Sequence, residues 1–265
     1  MLIDGRKINQ EIGEGLKAKI ELKNIKPSLG ILCVGEDKAS LSFINVKKRF
    51  GERYGFAVNI LNLKEDTGIL EIKEHLEKLQ SQNDGVIVQL PLPENLEVYT
   101  DEVLSCIKKD KDVDDLNVGN FKAPIVLALN KIMEYVETDT NDEFNFHQKV
   151  IGIVGLGQVV GLPIKTFLEN NNYKIEIIEK GQHEKIKNCE VVISGVGIPD
   201  LIKSESIRPG SVLVDYGCSY VDGVATGDFD KKCFAVSSYY TPVPGCMGPL
   251  VVACLFENLL KAASN

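Results

Sequence analysis

The sequence predicts an α/β protein built as two α/β domains around a cleft. Three observations predict it. Apolar positions alternate along almost the whole chain between helical spacing and short runs closed by glycine or proline. The runs at 29–34, 85–89, 149–154, 191–194 and 212–215 are apolar nearly throughout, as parallel strands covered on both faces require. A polar stretch, 137–148, separates two such series and reads as a linker.

In order, Ile8, Ile12, Leu16 and Ile20 repeat at helical spacing over 8–22. Residues 29–34 end in Val34-Gly35, a buried strand by length and punctuation. Residues 40–54 form a basic amphipathic helix, and 56–63 alternates as a strand does. Ile69, Ile72, Leu76 and Leu79 share one face of a helix over 69–79, and 85–89 is a strand stopped by Pro91 and Pro93. Residues 127–136 read as helix. The second series then runs strand 149–154, helix 159–169, strand 174–178, and strands 191–194 and 212–215, each of the last two with a glycine within two positions of its end. Strands joined by helical crossovers imply parallel sheets with helices on both faces. The domain boundary falls within 120–148, and the C-terminal helix 248–263 fits either domain by pattern.

At 265 residues, 44% apolar and 26% charged, the composition is that of a soluble globular protein. A net charge of −8 argues against nucleic acid as a main partner. The N-terminal residues lack the pattern of a signal peptide, and no apolar run approaches the roughly 18–20 residues that span a bilayer, so the expected compartment is the cytoplasm, with no membrane partner. The seven cysteines are scattered without Cys-x-x-Cys spacing, and the three histidines stand apart from them, so no metal site is expected. Cys33, Cys189 and Cys254 read as reduced core thiols.

Three segments carry chemistry. Gly155-Leu156-Gly157-Gln158-Val159-Val160-Gly161 follows a strand and opens a helix, where backbone N–H groups at the positive helix end meet a pyrophosphate. The next strand ends at Glu179, placed to bind the ribose hydroxyls of NAD and to repel the 2′-phosphate of NADP. Gly195-Val196-Gly197 and Asp215-Tyr216-Gly217 add glycines at the carboxyl edge of the same sheet, making the second domain a Rossmann-like dinucleotide-binding one. The loop Thr241-Pro242-Val243-Pro244-Gly245-Cys246-Met247-Gly248-Pro249 specifies a rigid backbone at a helix entrance. In the first domain, Phe43 and Lys47 share a helix face, Gln89 ends a strand before Leu90-Pro91-Leu92-Pro93, and an acidic run follows at 110–115. A lysine beside an aromatic ring can be lowered toward proton-transfer use. Taken singly, Lys47 reads first as a surface lysine, and the acidic run as a solvated loop.

These pieces occur together and in this order in one family. The chain resembles the bifunctional methylenetetrahydrofolate dehydrogenase/methenyltetrahydrofolate cyclohydrolases. The resemblance rests on Val34-Gly35 with Ala39-Ser40 and Lys47, on Asp84-Gly85-Val86-Ile87-Val88-Gln89-Leu90-Pro91-Leu92-Pro93, and on Lys111-Asp112-Val113-Asp114. It continues through Val160-Gly161-Leu162-Pro163, Gly195-Val196-Gly197-Ile198-Pro199, Pro209-Gly210-Ser211-Val212, Gly227-Asp228 and Thr241-Pro242-Val243-Pro244-Gly245.

The resemblance implies a folate-binding catalytic domain over 1–124, onto which helix 248–265 packs back, and an NAD(P)-binding domain over 125–247. It implies oxidation of 5,10-methylenetetrahydrofolate with NAD or NADP, then hydrolysis to 10-formyltetrahydrofolate, in a homodimer. Lys47 is expected to handle protons in the hydrolysis, Gln89 to tune it, and Asp114 to read the pterin edge. Phe43, Val88, Leu90, Pro244, Gly245, Cys246, Met247 and Gly248 are expected on the substrate. Gly155, Leu156, Gly157, Gly161, Glu179, Gly197 and Cys218 are expected on the cofactor.

The departures are as specific as the matches. The family's tyrosine on the lysine helix is Phe43, its Gly-Arg-Ser turn is Gly155-Leu156-Gly157, and Asp115 replaces a glycine. The Thr-Pro before the interdomain helix is reduced to Ala123-Pro124, and Cys246-Met247 and Val251 stand where Gly-Val and Thr are usual. Loss of the arginine and hydroxyl, with Glu179, favours NAD. A dehydrogenase without the hydrolytic step, and a silent nucleotide- or folate-binding protein, are the competing readings.

Overall fold

The computed structural model describes residues 1–117 and 119–264; Val118 and Asn265 lie outside the described residues. In chain order the elements are α1 (Gly5–Lys23), β1 (Ser28–Val34), α2 (Lys38–Tyr54), β2 (Ala57–Leu63), α3 (Ile69–Gln82), β3 (Gly85–Val88), α4 (Thr100–Leu104) and α5 (Pro124–Asp139). There follow β4 (Val150–Val154), α6 (Gly161–Asn170), β5 (Lys174–Ile178), β6 (Val191–Ser194), β7 (Val212–Asp215), the hairpin β8 (Ser219–Val221) and β9 (Val224–Thr226), α7 (Cys233–Val236), β10 (Tyr239–Tyr240) and α8 (Met247–Ala262). Two compact units result: Asn9–Pro124 with residues from 252 onward, and Met1–Ile8 with Ile125–Val251.

The first unit holds a three-stranded parallel sheet in the order β2-β1-β3. Successive side chains of a strand face opposite ways, so β1 feeds two cores. Leu29, Ile31 and Cys33 join Phe50, Phe56, Phe256 and Leu259 on one face. Leu32 and Val34 join Ile72, Leu76, Val86 and Val88 on the other. Phe256 of α8 packs edge-on to Phe56 at 4.7 Å between ring centroids. Asn258, two residues beyond Phe256, donates to Val113 O at 3.0 Å and Lys122 O at 2.8 Å, tying the segment before α5 to α8. Outside β3, Val86 N donates to Lys111 O at 2.8 Å and Val86 pairs in parallel with Asp112, so residues 111–112 cover that sheet edge.

The second unit holds a five-stranded parallel sheet in the order β10-β7-β6-β4-β5. The chain leaves β4 to one side for β5 and returns to the other for β6, which makes the carboxyl ends of β4 and β6 a topological switch point. Residues 1–8, expected with the first domain, group here instead. Ile3 N donates to Tyr240 O, Tyr240 N donates to Met1 O, and Leu2 pairs with Tyr240, so the first residues extend the β10 edge. Residues 248–251 group here as well. The expected linker 137–148 is only partly one: α5 runs to Asp139, and Phe146 within the polar stretch is buried.

Candidate functional site

In the first unit, helix α2 begins where the Asp37 carboxylate accepts from Ser40 N at 2.7 Å and ends at Gly55 in the left-handed conformation. Between these caps, Phe43 and Lys47 lie one turn apart, and Lys47 is only 4% exposed. That overturns the plain reading of a surface lysine. Its Nζ donates to Gln89 Oε1 at 2.8 Å and stands 4.5 Å from the centroid of the Phe43 ring. Gln89 is fixed in turn: its backbone N donates to Leu32 O and its Nε2 to Leu90 O, both at 2.8 Å. The strand end β3 and helix α2 therefore hold an amine against an amide with little freedom on either side.

Electrostatics make the amine unusual. Burial holds Lys47 below the ordinary lysine value, opposed by Asp114 and Cys33. Burial raises the Asp114 carboxyl, with Lys47 opposing and Asp112 and Asp115 adding to the rise. The acidic run is not a solvated loop either. Asp112 is fully buried, and its carboxylate accepts from Asn117 N at 2.7 Å and Leu116 N at 3.3 Å. Asp115, where the family has glycine, sits at φ 56°, the left-handed region that glycine and aspartate tolerate best, and its carboxylate accepts from Gly119 N at 2.7 Å. Of the other expected substrate residues here, Val88 turns its side chain into the core and Leu90 packs half-buried against it. Val88 therefore has only its backbone left for a ligand.

In the second unit, the turn 155–160 links β4 to α6, whose first residue is Gly161 rather than a residue two positions earlier. Gly155 and Gly197 have φ of 76° and 74°. A Cβ on Gly161 would lie 2.1 Å from Gly155 O, so only glycine lets the turn close against the helix. A Cβ on Gly157 would meet nothing within 4 Å, and Leu156 is 40% exposed. The α6 N-terminus has no side-chain cap from Val160; Leu162 N donates to Gly157 O at 3.0 Å and Pro163 has no N–H, so the positive helix end faces an anion chiefly through its dipole. Glu179 is exposed immediately after β5. These residues fit a dinucleotide: a close-packed glycine turn, an open approach at Gly157, an uncapped helix start and a carboxylate one strand over.

The loop at 241–248 belongs to this unit. Asp215 N donates to Thr241 Oγ1 at 2.7 Å, anchoring its start. Pro244 and Gly248 are exposed, while Cys246 and Met247 are buried. Cys246 packs against Gly5, where a Cβ would come within 2.5 Å of its Sγ, and burial pushes its thiol up to about 12. Its replacement of the usual glycine is thus met by packing inside the unit. Cys218 is an exposed thiol beyond β7.

Two residues escaped the sequence reading of the site. Asp215 and Asp228 are buried carboxylates at 2% and 0% exposure, each holding loop backbone at the carboxyl edge of the sheet. The sequence signal for them is slight: one glycine two positions after Asp215 and one directly before Asp228.

Comparison with known proteins gives these geometries a family. Residues 3–114 match the model of the tetrahydrofolate dehydrogenase/cyclohydrolase catalytic domain, and residues 130–265 match its NAD(P)-binding domain. The bifunctional protein FolD of a Sulfurovum species is 34% identical over 285 residues, covering 100% of this chain and 99% of that protein. FolD of Macrococcus caseolyticus is 30% identical, covering 100% and 98%. Among solved structures, the Campylobacter jejuni FolD methylenetetrahydrofolate dehydrogenase/cyclohydrolase superposes with a TM-score of 0.89 at 28% identity, covering 100% of this chain and 99% of that one. The Trypanosoma brucei enzyme, complexed with NADP and an inhibitor, gives 0.87 at 25% identity, covering 100% and 97%. With both domain models matched in order along one chain, the protein belongs to the tetrahydrofolate dehydrogenase/cyclohydrolase family.

Proposed function

We propose that Lys47, Gln89 and Asp114 carry the cyclohydrolase step of this folate-interconverting enzyme, and that its dehydrogenase step prefers NAD. The buried hydrogen bond from Lys47 to Gln89 carries the first part. Hydrolysis of 5,10-methenyltetrahydrofolate needs a proton taken from the attacking water and one delivered to the departing nitrogen. An amine lowered by burial gives up and regains its proton more readily than an ordinary lysine, and is proposed to do both in turn. Gln89 accepts from that amine and is itself pinned through Leu90 O, so the lone pair is presented in one direction. Asp114, its carboxyl raised, is proposed to donate to or accept from the pterin edge. Phe43 offers the ring face on which a pterin stacks.

Oxidation of the methylene carbon requires positioning rather than a protein base. The nicotinamide supplies the hydride acceptor. Gly155, Leu156, Gly157 and Gly161 are proposed to receive the pyrophosphate and adenosine ribose, with Gly197 and Cys218 on the nicotinamide side and the backbone at 244–248 on the folate. Leu156 and Gly157 bring no charge or hydroxyl to a 2′-phosphate, and Glu179 would repel it. That supports NAD over NADP. Initial rates with each cofactor test this; a higher kcat/KM for NADP overturns it. Among the described residues no helix is long and apolar enough to cross a membrane. The family likeness supports a cytoplasmic homodimer, which light scattering on the purified chain checks.

A further inference from the structure

We propose that Asp215 and Asp228 act as one positioning pair that sets the two strand-end loops receiving the nicotinamide cofactor. The proposal rests on the nucleotide reading of the second unit given above.

The pair has a built site. Gly217 and Gly227 clear the space for it: a Cβ on Gly217 would lie 2.1 Å from Asp228 Oδ1, and one on Gly227 2.1 Å from Asp215 Oδ2. Each carboxylate collects three donors. Asp228 accepts from Ser194 Oγ at 2.6 Å, Val196 N at 2.8 Å and Ile198 N at 2.9 Å. Asp215 accepts from Gly217 N at 2.9 Å, Asp228 N at 3.2 Å and Phe229 N at 3.2 Å. The targets decide the role. Four of these six donors are backbone N–H groups in the loop after β6, the loop after β7 and the segment entering Phe229; another is Asp228's own N–H. The loop after β6 contains Gly197 and flanks the switch point beside the glycine turn, where a Cβ on Gly155 would lie 3.0 Å from Val196 Cγ2. Asp215 also donates through its own N to Thr241, so the start of the proline loop shares the same anchor. Buried carboxylates are a costly way to fill a core. Three donors on each one, five of the six being backbone N–H groups, are what a loop-setting device needs.

Burial, with the neighbouring Asp228 adding to it, pushes the Asp215 carboxyl up to about 7. Among the described residues, the titratable groups facing Asp215 are Asp228, from the segment after β9, and the Cys218 thiol, from its own strand end. Above that pH Asp215 takes on a charge that burial and Asp228 disfavour, and the loops loosen. Cofactor affinity therefore falls as the pH rises through neutrality.

Isothermal titration of NAD and NADP into the whole protein at pH 6 and pH 8 tests this, with circular dichroism melting as the check on folding. The expected result for the wild type is an NAD Kd about three- to tenfold weaker at pH 8. Asp215→Asn, which mimics the protonated acid, should bind equally at both pH values. Asp228→Asn, which turns an N–H against Ile198 N, should weaken Kd about tenfold or more. Ser194→Ala removes a single donor and should weaken it about threefold; it decides the matter if Asp228→Asn does not fold. Folded variants with wild-type Kd and wild-type pH dependence overturn the positioning pair. A folded wild type that binds neither dinucleotide overturns the nucleotide reading itself.

Discussion

Lys47→Met separates the two reactions. Methionine matches the lysine stem in length and removes the amine, leaving Gln89 Oε1 without its 2.8 Å donor. An unmade hydrogen bond of this kind costs about 1–3 kcal/mol. Against that stands the burial of the ammonium, which returns about 1.4 kcal/mol for each unit by which the amine is lowered. The two effects oppose, so the variant should lose less than about 3 kcal/mol relative to wild type. The sign with pH follows from the lowered folded value. The unfolded lysine binds its proton more tightly than the folded one, so wild-type stability rises with pH between the folded value and about 10.4. The variant should gain on wild type below that window and lose the advantage through it. General acid–base catalysis is worth about 10²–10⁴-fold. Methenyl hydrolysis, followed by loss of the methenyl absorbance, should therefore fall at least about 10²-fold. Cofactor reduction in the same preparation should fall less than about tenfold, since positioning and not a base drives it. Equal loss of both rates in a folded variant, or hydrolysis retained within tenfold, would refute the assignment of Lys47.

Further outcomes are expected. Leu156→Arg with Gly157→Ser enters open space at Gly157 and supplies a cation and a hydroxyl for a 2′-phosphate. The ratio of kcat/KM for NADP over NAD should rise about tenfold or more, a charged hydrogen bond being worth about 1.5–3 kcal/mol. Gly161→Ala puts a methyl 2.1 Å from Gly155 O and 2.8 Å from Leu156 Cα; it should cost about 1–3 kcal/mol in urea unfolding and abolish cofactor binding. Asn258→Leu orphans Val113 O and Lys122 O and should destabilise the first unit by about 2–4 kcal/mol, read as a lower urea midpoint with unchanged slope.

The parallel strands were legible because burial on both faces writes itself as an unbroken apolar run, as at β1, β4, β6 and β7. The glycine turn was legible because its backbone demands a residue type. Other features depend on partners distant in sequence. Strand β10 is two residues long and exists through its pairing with β7 and with Leu2. Helix α4 and the hairpin β8–β9 are too short to show a period. Lys47 sits in the basic run Lys47-Lys48-Arg49 and looks solvated; tertiary packing on β3 buries it alone of the three. Asp215 and Asp228 have only one nearby glycine each as a local signal, since what makes them a pair is the adjacency of two strand-end loops.

The short pairing of residues 111–112 outside β3 bears on solubility rather than chemistry. β1 and β3, with the sequences SLGILCV and GVIV, combine high β-propensity with no charge, the composition that templates intermolecular sheets when an edge lies bare. The Lys111 carbonyl occupies Val86 N, and the lysine side chain reaches back to Asn83 O at 2.8 Å, placing a charge beside the edge. Substitutions in the 108–112 turn should therefore show themselves first as aggregation during expression, before any change in rate is measured.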